Sequence, residues 1–249
     1  MSVKIFFLNG SPRRNMNTAE LVQRAMDGAR EAGADTELIH LYDFCYRGCV
    51  NCFACKTKGN LTHGLCDYHD ELRPVLEKLL AADAIVIGTP VYFGYPAAQV
   101  RAFMERLLFP IHSYVVDEWT GERVKILKRT IPTGLIFSMN YPEYVVRKMG
   151  QYTSMSMNGA LLRQKMGYNE TLYVYDTCQF KDYDRYEVNM FHADEKIRHK
   201  EEQIPKDLAR AYEMGKHMAE KVQEYAAAEE GSDEGHDPEE LRDQGFYEA

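Results

Sequence analysis

Short, continuously apolar segments recur along this chain with helical patterns between them, and that recurrence limits the folds open to it. VKIFFL at residues 3–8 and AIVIGTP at 84–90 have no polar alternation beyond Lys4. Such a run suits a strand buried on both faces, the situation of a parallel sheet covered by helices. Between them, TAELVQRAMDGAREAG places Leu21, Val22, Ala25, Met26 and Ala29 at helical spacing, and Gly33 closes the stretch. TELIHLYDF reads as a second strand. HDELRPVLEKLLAAD reads as a helix with Pro74 in its first turn. AAQVRAFMERLL is a third helix, TIPTGLIFSMN holds a fourth strand, YVVRKMGQYTSMSMNGALLRQK holds a long helix, and TLYVYDT is a fifth strand. A strongly patterned closing helix begins at about Pro205. The alternation predicts an α/β fold: a doubly wound five-stranded parallel sheet with helices on both faces. Residues 109–130 do not fit it and read as an insertion, a loop or hairpin that covers an active site or joins two subunits. Residues 1–228 then form one domain.

Charge is unevenly distributed. Residues 229–249 carry nine acidic residues and one Arg, which accounts for the whole net charge of −8; the remaining 29 acidic and 29 basic residues cancel. The body therefore offers no excess basic charge for nucleic acid. The tail has the composition of a disordered or loosely helical segment. No apolar run approaches the roughly 20 residues of a membrane helix, and the N-terminal apolar stretch is too short for a signal peptide. These features predict a cytoplasmic protein with reduced thiols.

Ligands of an open parallel sheet bind beyond the carboxyl ends of its strands, and three loops fall there. NGSPRRNMNTAEL, after the first strand, gathers Ser11, Asn15, Asn17 and Thr18 with Arg13 and Arg14 at a helix start. Unpaired amides and the helix dipole suit a phosphate there. Neither GxGxxG nor GxxxxGK[ST] is present, so a dinucleotide fingerprint and an NTPase loop are not indicated. The plainer alternative has Thr18 merely capping its helix. GTPVYFGYPAAQ, after the third strand, sets Pro90, Val91, Tyr92, Phe93 and Gly94 where a flat heterocycle could lie; packed aromatic plugs are the alternative. SMNYPEY, after the fourth strand, adds Ser138 and Asn140.

GSPRRNMNTAELVQRA followed by AIVIGTPVYFGYPAAQVRAFMERL resembles the flavodoxin-like NAD(P)H-dependent FMN reductases, and in particular their iron–sulfur flavoprotein branch. The resemblance covers roughly residues 1–110. It implies the strand order 2-1-3-4-5, an FMN phosphate on Ser11, Arg13, Asn17 and Thr18, and an isoalloxazine along Pro90, Val91, Tyr92, Phe93 and Gly94. It also implies assembly as a homodimer or homotetramer that completes the flavin pocket across subunits. The expected activity takes electrons from NAD(P)H through FMN to a small acceptor such as a quinone or nitro compound. No residue is expected to act as a protein acid, base or nucleophile. An electron carrier without a small-molecule substrate, working with a partner such as ferredoxin, is the alternative. A redox sensor that docks through the acidic tail is a third.

Five of the six cysteines fall within residues 45–66. Cys49, Cys52 and Cys55 form CxxCxxC, and Cys66 could close a cage for a [4Fe–4S] cluster. Ten residues separate Cys55 from Cys66, a longer gap than the resembling branch carries, and Cys45 is an alternative fourth ligand. Free thiols packed near the flavin fit the residues equally well, and zinc fits less well because two separated CxxC pairs are lacking. Cys178 reads as core. His63 and His69 flank Cys66 without a ligand pattern, and Tyr173, Tyr175, Tyr183 and Tyr186 read as packing.

Overall fold

A computed structural model describes residues 3–59 and 64–232, with backbone only at 229–232. His63 and the acidic residues beyond 232 lie outside the described residues. Strands β1 (Lys4–Asn9), β2 (Asp35–His40), β3 (Ala84–Tyr92), β5 (Thr133–Ser138) and β6 (Asn169–Val174) form one parallel sheet in the order β2-β1-β3-β5-β6. The short β4 (Tyr95–Pro96) folds back antiparallel on the end of β3. Leaving out β4, the order is the expected 2-1-3-4-5.

Side chains alternate across the sheet as strand geometry requires. Ile5, Phe7, Ala84, Val86 and Ile136 face helices α1 (Asn17–Glu31) and α6 (Ala193–Ser232). Phe6, Leu8, Ile85, Ile87, Leu135 and Phe137 face the opposite core, which α2 (Leu72–Leu80), α3 (Ala98–Ile111), α4 (Glu143–Lys148) and α5 (Gln151–Met166) cover. Both faces are dry, which explains the uninterrupted apolar runs.

Three element boundaries differ from expectation. The long helix over 144–165 is two helices, because Gly150 adopts φ 70° between α4 and α5. The closing helix starts at Ala193 and contains Pro205. Helix α3 continues through Pro110, so the insertion begins after Ile111; its only pairing among the described residues is the bridge between Val116 and Arg123. No helix among the described residues is long and apolar enough to cross a membrane.

Candidate functional site

The carboxyl ends of β1, β3 and β5 meet at a cavity of about 120 Å³. Two glycines let the backbones close up behind it. The Gly10 amide donates to the Gly88 carbonyl at 2.8 Å, a Cβ on Gly10 would fall 2.1 Å from a Val100 methyl, and one on Gly88 would fall 2.2 Å from Val22.

Loop one is ordered by its own side chains. Asn9 Oδ1 accepts from the Ser11 amide at 3.0 Å, and Ser11 Oγ accepts from the Arg13 amide at 3.1 Å. Asn9 Nδ2 lies 3.2 Å from His40 Nδ1. The amide nitrogen can only donate, so His40 Nδ1 accepts; burial first, and then the positive charge of Arg14, push the His40 pKa down. Met16 occupies the N-cap of α1 without a side-chain cap. The first-turn amides are therefore not claimed by a capping side chain. Thr18 does not cap its helix; its Oγ1 pairs with Ser138 Oγ at 2.7 Å and ties loop one to β5.

Ser11, Arg13, Asn17, Thr18, Pro90, Val91, Tyr92, Ser138 and Asn140 all line this cavity. Phe93 and Gly94 do not. With φ of 52° and 84° they form the two-residue turn between β3 and β4, the geometry of a type I′ hairpin. Phe93 is 97 % exposed, and the Gly94 carbonyl is held by Ser154 Oγ at 2.7 Å. Pro90, Val91 and Tyr92, the three residues before the turn, are the part of this loop that reaches the cavity.

Two contributions escaped the sequence reading. The segment after β6 supplies Thr177 and Gln179 to the cavity wall; the Cys178 carbonyl accepts from Asn17 Nδ2 at 2.8 Å, and the Gln179 carbonyl accepts from Arg13. Behind the wall, the buried Lys196 donates to the Asn140 carbonyl and pairs with Asp176, both at 2.5 Å. Reading the last helix from Pro205 hid Lys196. Asn140 Oδ1 is buried and has no partner among the described residues. A buried acceptor left unpaired is costly, so it marks a place for a donor.

The donor set suits a flavin mononucleotide in part. Ser11, Arg13, Asn17, Thr18 and the uncapped helix start match a phosphate, while Ser138 and Asn140 match polyol hydroxyls. The cavity is well below the roughly 300 Å³ of a typical ligand pocket, so it has room for the phosphate end and not for a tricyclic ring. The ring's only support here is the open edge at Val91 and Tyr92. Larger cavities of about 740 and 350 Å³ lie elsewhere, away from the carboxyl ends of β1, β3 and β5.

The cysteine segment packs on α3. The Cys45 and Cys49 amides donate to Glu71 and Glu105, and Lys56 Nζ donates to the carbonyls of Pro110 and His112. Asn51 and Phe53, both in the left-handed region, bracket Cys52. Cys49, Cys52, Cys55 and Cys66 face one small cavity, and Cys45 stands outside it. Burial raises the Cys55 pKa, and the neighbouring Cys66, Cys49 and Cys52 add to the effect. Cys66 Sγ accepts from Arg106 Nε at 2.9 Å. Of the two readings of these thiols, the structure does not support a cluster cage: among the described residues no three His, Cys, Asp or Glu are disposed to hold a metal ion.

A family model described as NADPH-dependent FMN reductase matches residues 3–128. An iron–sulfur flavoprotein of Methanocaldococcus jannaschii is 38% identical over 104 residues, 42% of this chain and 51% of the relative. One from Archaeoglobus fulgidus is 38% identical over 104 residues, 42% of this chain and 48% of the relative. The chain thus spans about half the length of the curated relatives it matches. An NAD(P)H:quinone oxidoreductase from Methanothermobacter marburgensis superposes with a TM-score of 0.58 at 17% identity, over 87% of this chain and 98% of that one. That likeness confirms the flavodoxin-like fold.

Proposed function

The chain belongs to the NADPH-dependent FMN reductase family, and from that premise we propose that it is an FMN-dependent oxidoreductase that passes electrons from NAD(P)H to a small acceptor such as a quinone or nitro compound. The observation that carries this reading is the convergence of Ser11, Arg13, Asn17, Thr18, Ser138 and Asn140 on one cavity at the carboxyl ends of the strands. When bound, FMN supplies two-electron and one-electron chemistry. The residues do the rest. Arg13 and the start of α1 neutralise a phosphate dianion, Ser138 and Asn140 orient the polyol, and Pro90, Val91 and Tyr92 form the edge beside the ring. The exposed Phe93 turn and the groove bordered by Tyr95, Met157 and Leu161 supply a surface on which a homodimer or homotetramer could complete the ring site.

The test is titration of the purified chain with FMN, followed by flavin absorbance and fluorescence quenching. Arg13→Ala should weaken binding about tenfold or more, the worth of a charge-assisted contact of roughly 1.5–3 kcal/mol. Failure of the unsubstituted chain to take up FMN ends this reading.

A second reading, an electron carrier for a partner such as ferredoxin, is favoured by the four thiols facing one cavity. Anaerobic purification with iron and sulfide assays decides it: about four irons per chain supports the carrier, and iron-free protein that still turns over NAD(P)H removes it.

A further inference from the structure

The cavity of about 350 Å³ is walled by Arg123, Lys125, Lys128 and Arg129 from the insertion and by Lys165 at the end of α5. Among the described residues, only Arg129 of these five has a carboxylate within ion-pair distance, Asp83 at 4.0 Å. Arg123, Lys125, Lys128 and Lys165 form no ion pair among the described residues, and Arg123, Lys125 and Lys128 are exposed. Lys165 Nζ sits 2.7 Å from His112 Nδ1, and burial together with Arg123 pushes the Lys165 pKa down. Five cations line one cavity of a body whose charges sum to zero. A cavity of this kind calls for a counter-anion.

The chain carries one. Residues 233–249 hold seven acidic residues and one Arg. Topology brings their start to the right end of the molecule. The cavity lies where β5 and β6 begin, since the Ile131 amide donates to Met166 and Gly167 packs on Thr130. Helix α6 runs to that same end: Tyr225 lies 6.4 Å from Tyr168, the residue after Gly167 of the cavity wall. From Ser232, seventeen residues reach at most about 60 Å when extended, ample to turn under the edge strand β6.

We propose that the acidic C-terminal segment, residues 233–249, docks in this basic cavity of its own chain and covers the end of the sheet opposite the Ser11 cavity. One exposed ion pair contributes little; several carboxylates against five clustered cations act as a network. The inference does not rest on the flavin reading.

Zero-length carbodiimide coupling of the full chain tests it, because the reagent joins a Lys amine to a carboxylate only in contact. An equal mixture of unlabelled and ¹⁵N-labelled chain separates links within a chain from links between copies. The expected result is same-isotope peptides joining Lys125, Lys128 or Lys165 to Asp237, Glu239 or Glu240. Their yield should fall about tenfold as salt rises from roughly 0.02 to 0.5 M. Substituting the three lysines by Gln, all of them at or near the surface, should abolish those links. Absence of these links at low salt, while the Lys4–Asp35 pair at 2.8 Å couples in the same sample, overturns the proposal. So do links that are mainly between isotopes, which would place the segment on a second copy, or links spread evenly over other lysines.

Discussion

At the scale of single residues, Arg106 does more than any side chain the sequence singled out. It is 2 % exposed, and all five of its N–H donors are engaged. Nε donates to Cys66 Sγ, Nη1 to Asp70 Oδ2 and the Arg47 carbonyl, and Nη2 to Asp70 Oδ1 and the Tyr68 carbonyl. One guanidinium thereby fastens both ends of the cysteine segment to α3. Arg106→Met would leave the Asp70 carboxylate without its cation, and urea unfolding should show a loss of about 3–5 kcal/mol. Arg106→Lys should not restore it, since an ammonium lacks the planar fork. Asp70 also predicts an acid limb. Burial pushes its pKa up, but the Arg106 hydrogen bonds and charge, with the Leu72 and Arg73 amides, outweigh burial and hold it below the usual value. A carboxylate lowered on folding stabilises above the unfolded pKa of about 3.9, and that stability is lost as pH falls through the folded value. Unfolding midpoints taken from pH 5 to pH 2 should therefore fall more steeply for the unsubstituted protein than for Asp70→Asn. Arg106 was legible only as an oddity, a cation on the apolar stripe of Phe103, Leu107 and Pro110. Its partners lie up to 59 residues away, where local periodicity carries no information.

At the scale of elements, the helices that enclose the sheet on one side interlock through two glycines. A Cβ on Gly28 would fall 2.0 Å from the Tyr212 carbonyl oxygen, and one on Gly215 would fall 1.8 Å from that of Ala25. Because the obstacle is backbone, neither helix can yield by a rotamer change. Gly215→Ala should cost about 1–3 kcal/mol despite alanine's higher helix propensity, because overpacking outweighs propensity here. The same change at Gly121, where nothing lies within 4 Å but φ is 70°, would report backbone strain alone; circular dichroism melts of the two variants separate the effects. All five main strands were readable because burial on both faces leaves a run that nothing else in the chain imitates. The helix ends were not: Gly150 divides one pattern into two helices, and Pro205 sits inside a helix whose first turns are anchored by Lys196 to Asp176. Proline marks a local preference, and core packing of Ile204 and Ala211 on either side accompanies its place inside the helix.

At the scale of the whole molecule, the strand ends locate the site and loop composition fills it. Nine of the eleven residues expected to touch the cofactor line one cavity; Phe93 and Gly94 stand outside it in a tight turn, a shape that loop composition alone does not reveal. Saturation with FMN at about 100 times its dissociation constant should stabilise the fold by about 2.7 kcal/mol. A calorimetric scan should then show the melting temperature raised by roughly 5–10 °C, and Arg13→Ala should shrink the shift. The glycine contact between α1 and α6 has one more consequence, in the order in which the chain is made. Ala25 and Gly215 are 190 residues apart (215 − 25). At a synthesis rate of about 5–20 residues per second, the apolar face of α1 waits roughly 10–40 s for its cover. Ribosome-bound chains arrested before Ala193 should consequently be cut by protease within α1, and release past Met218 should close that window.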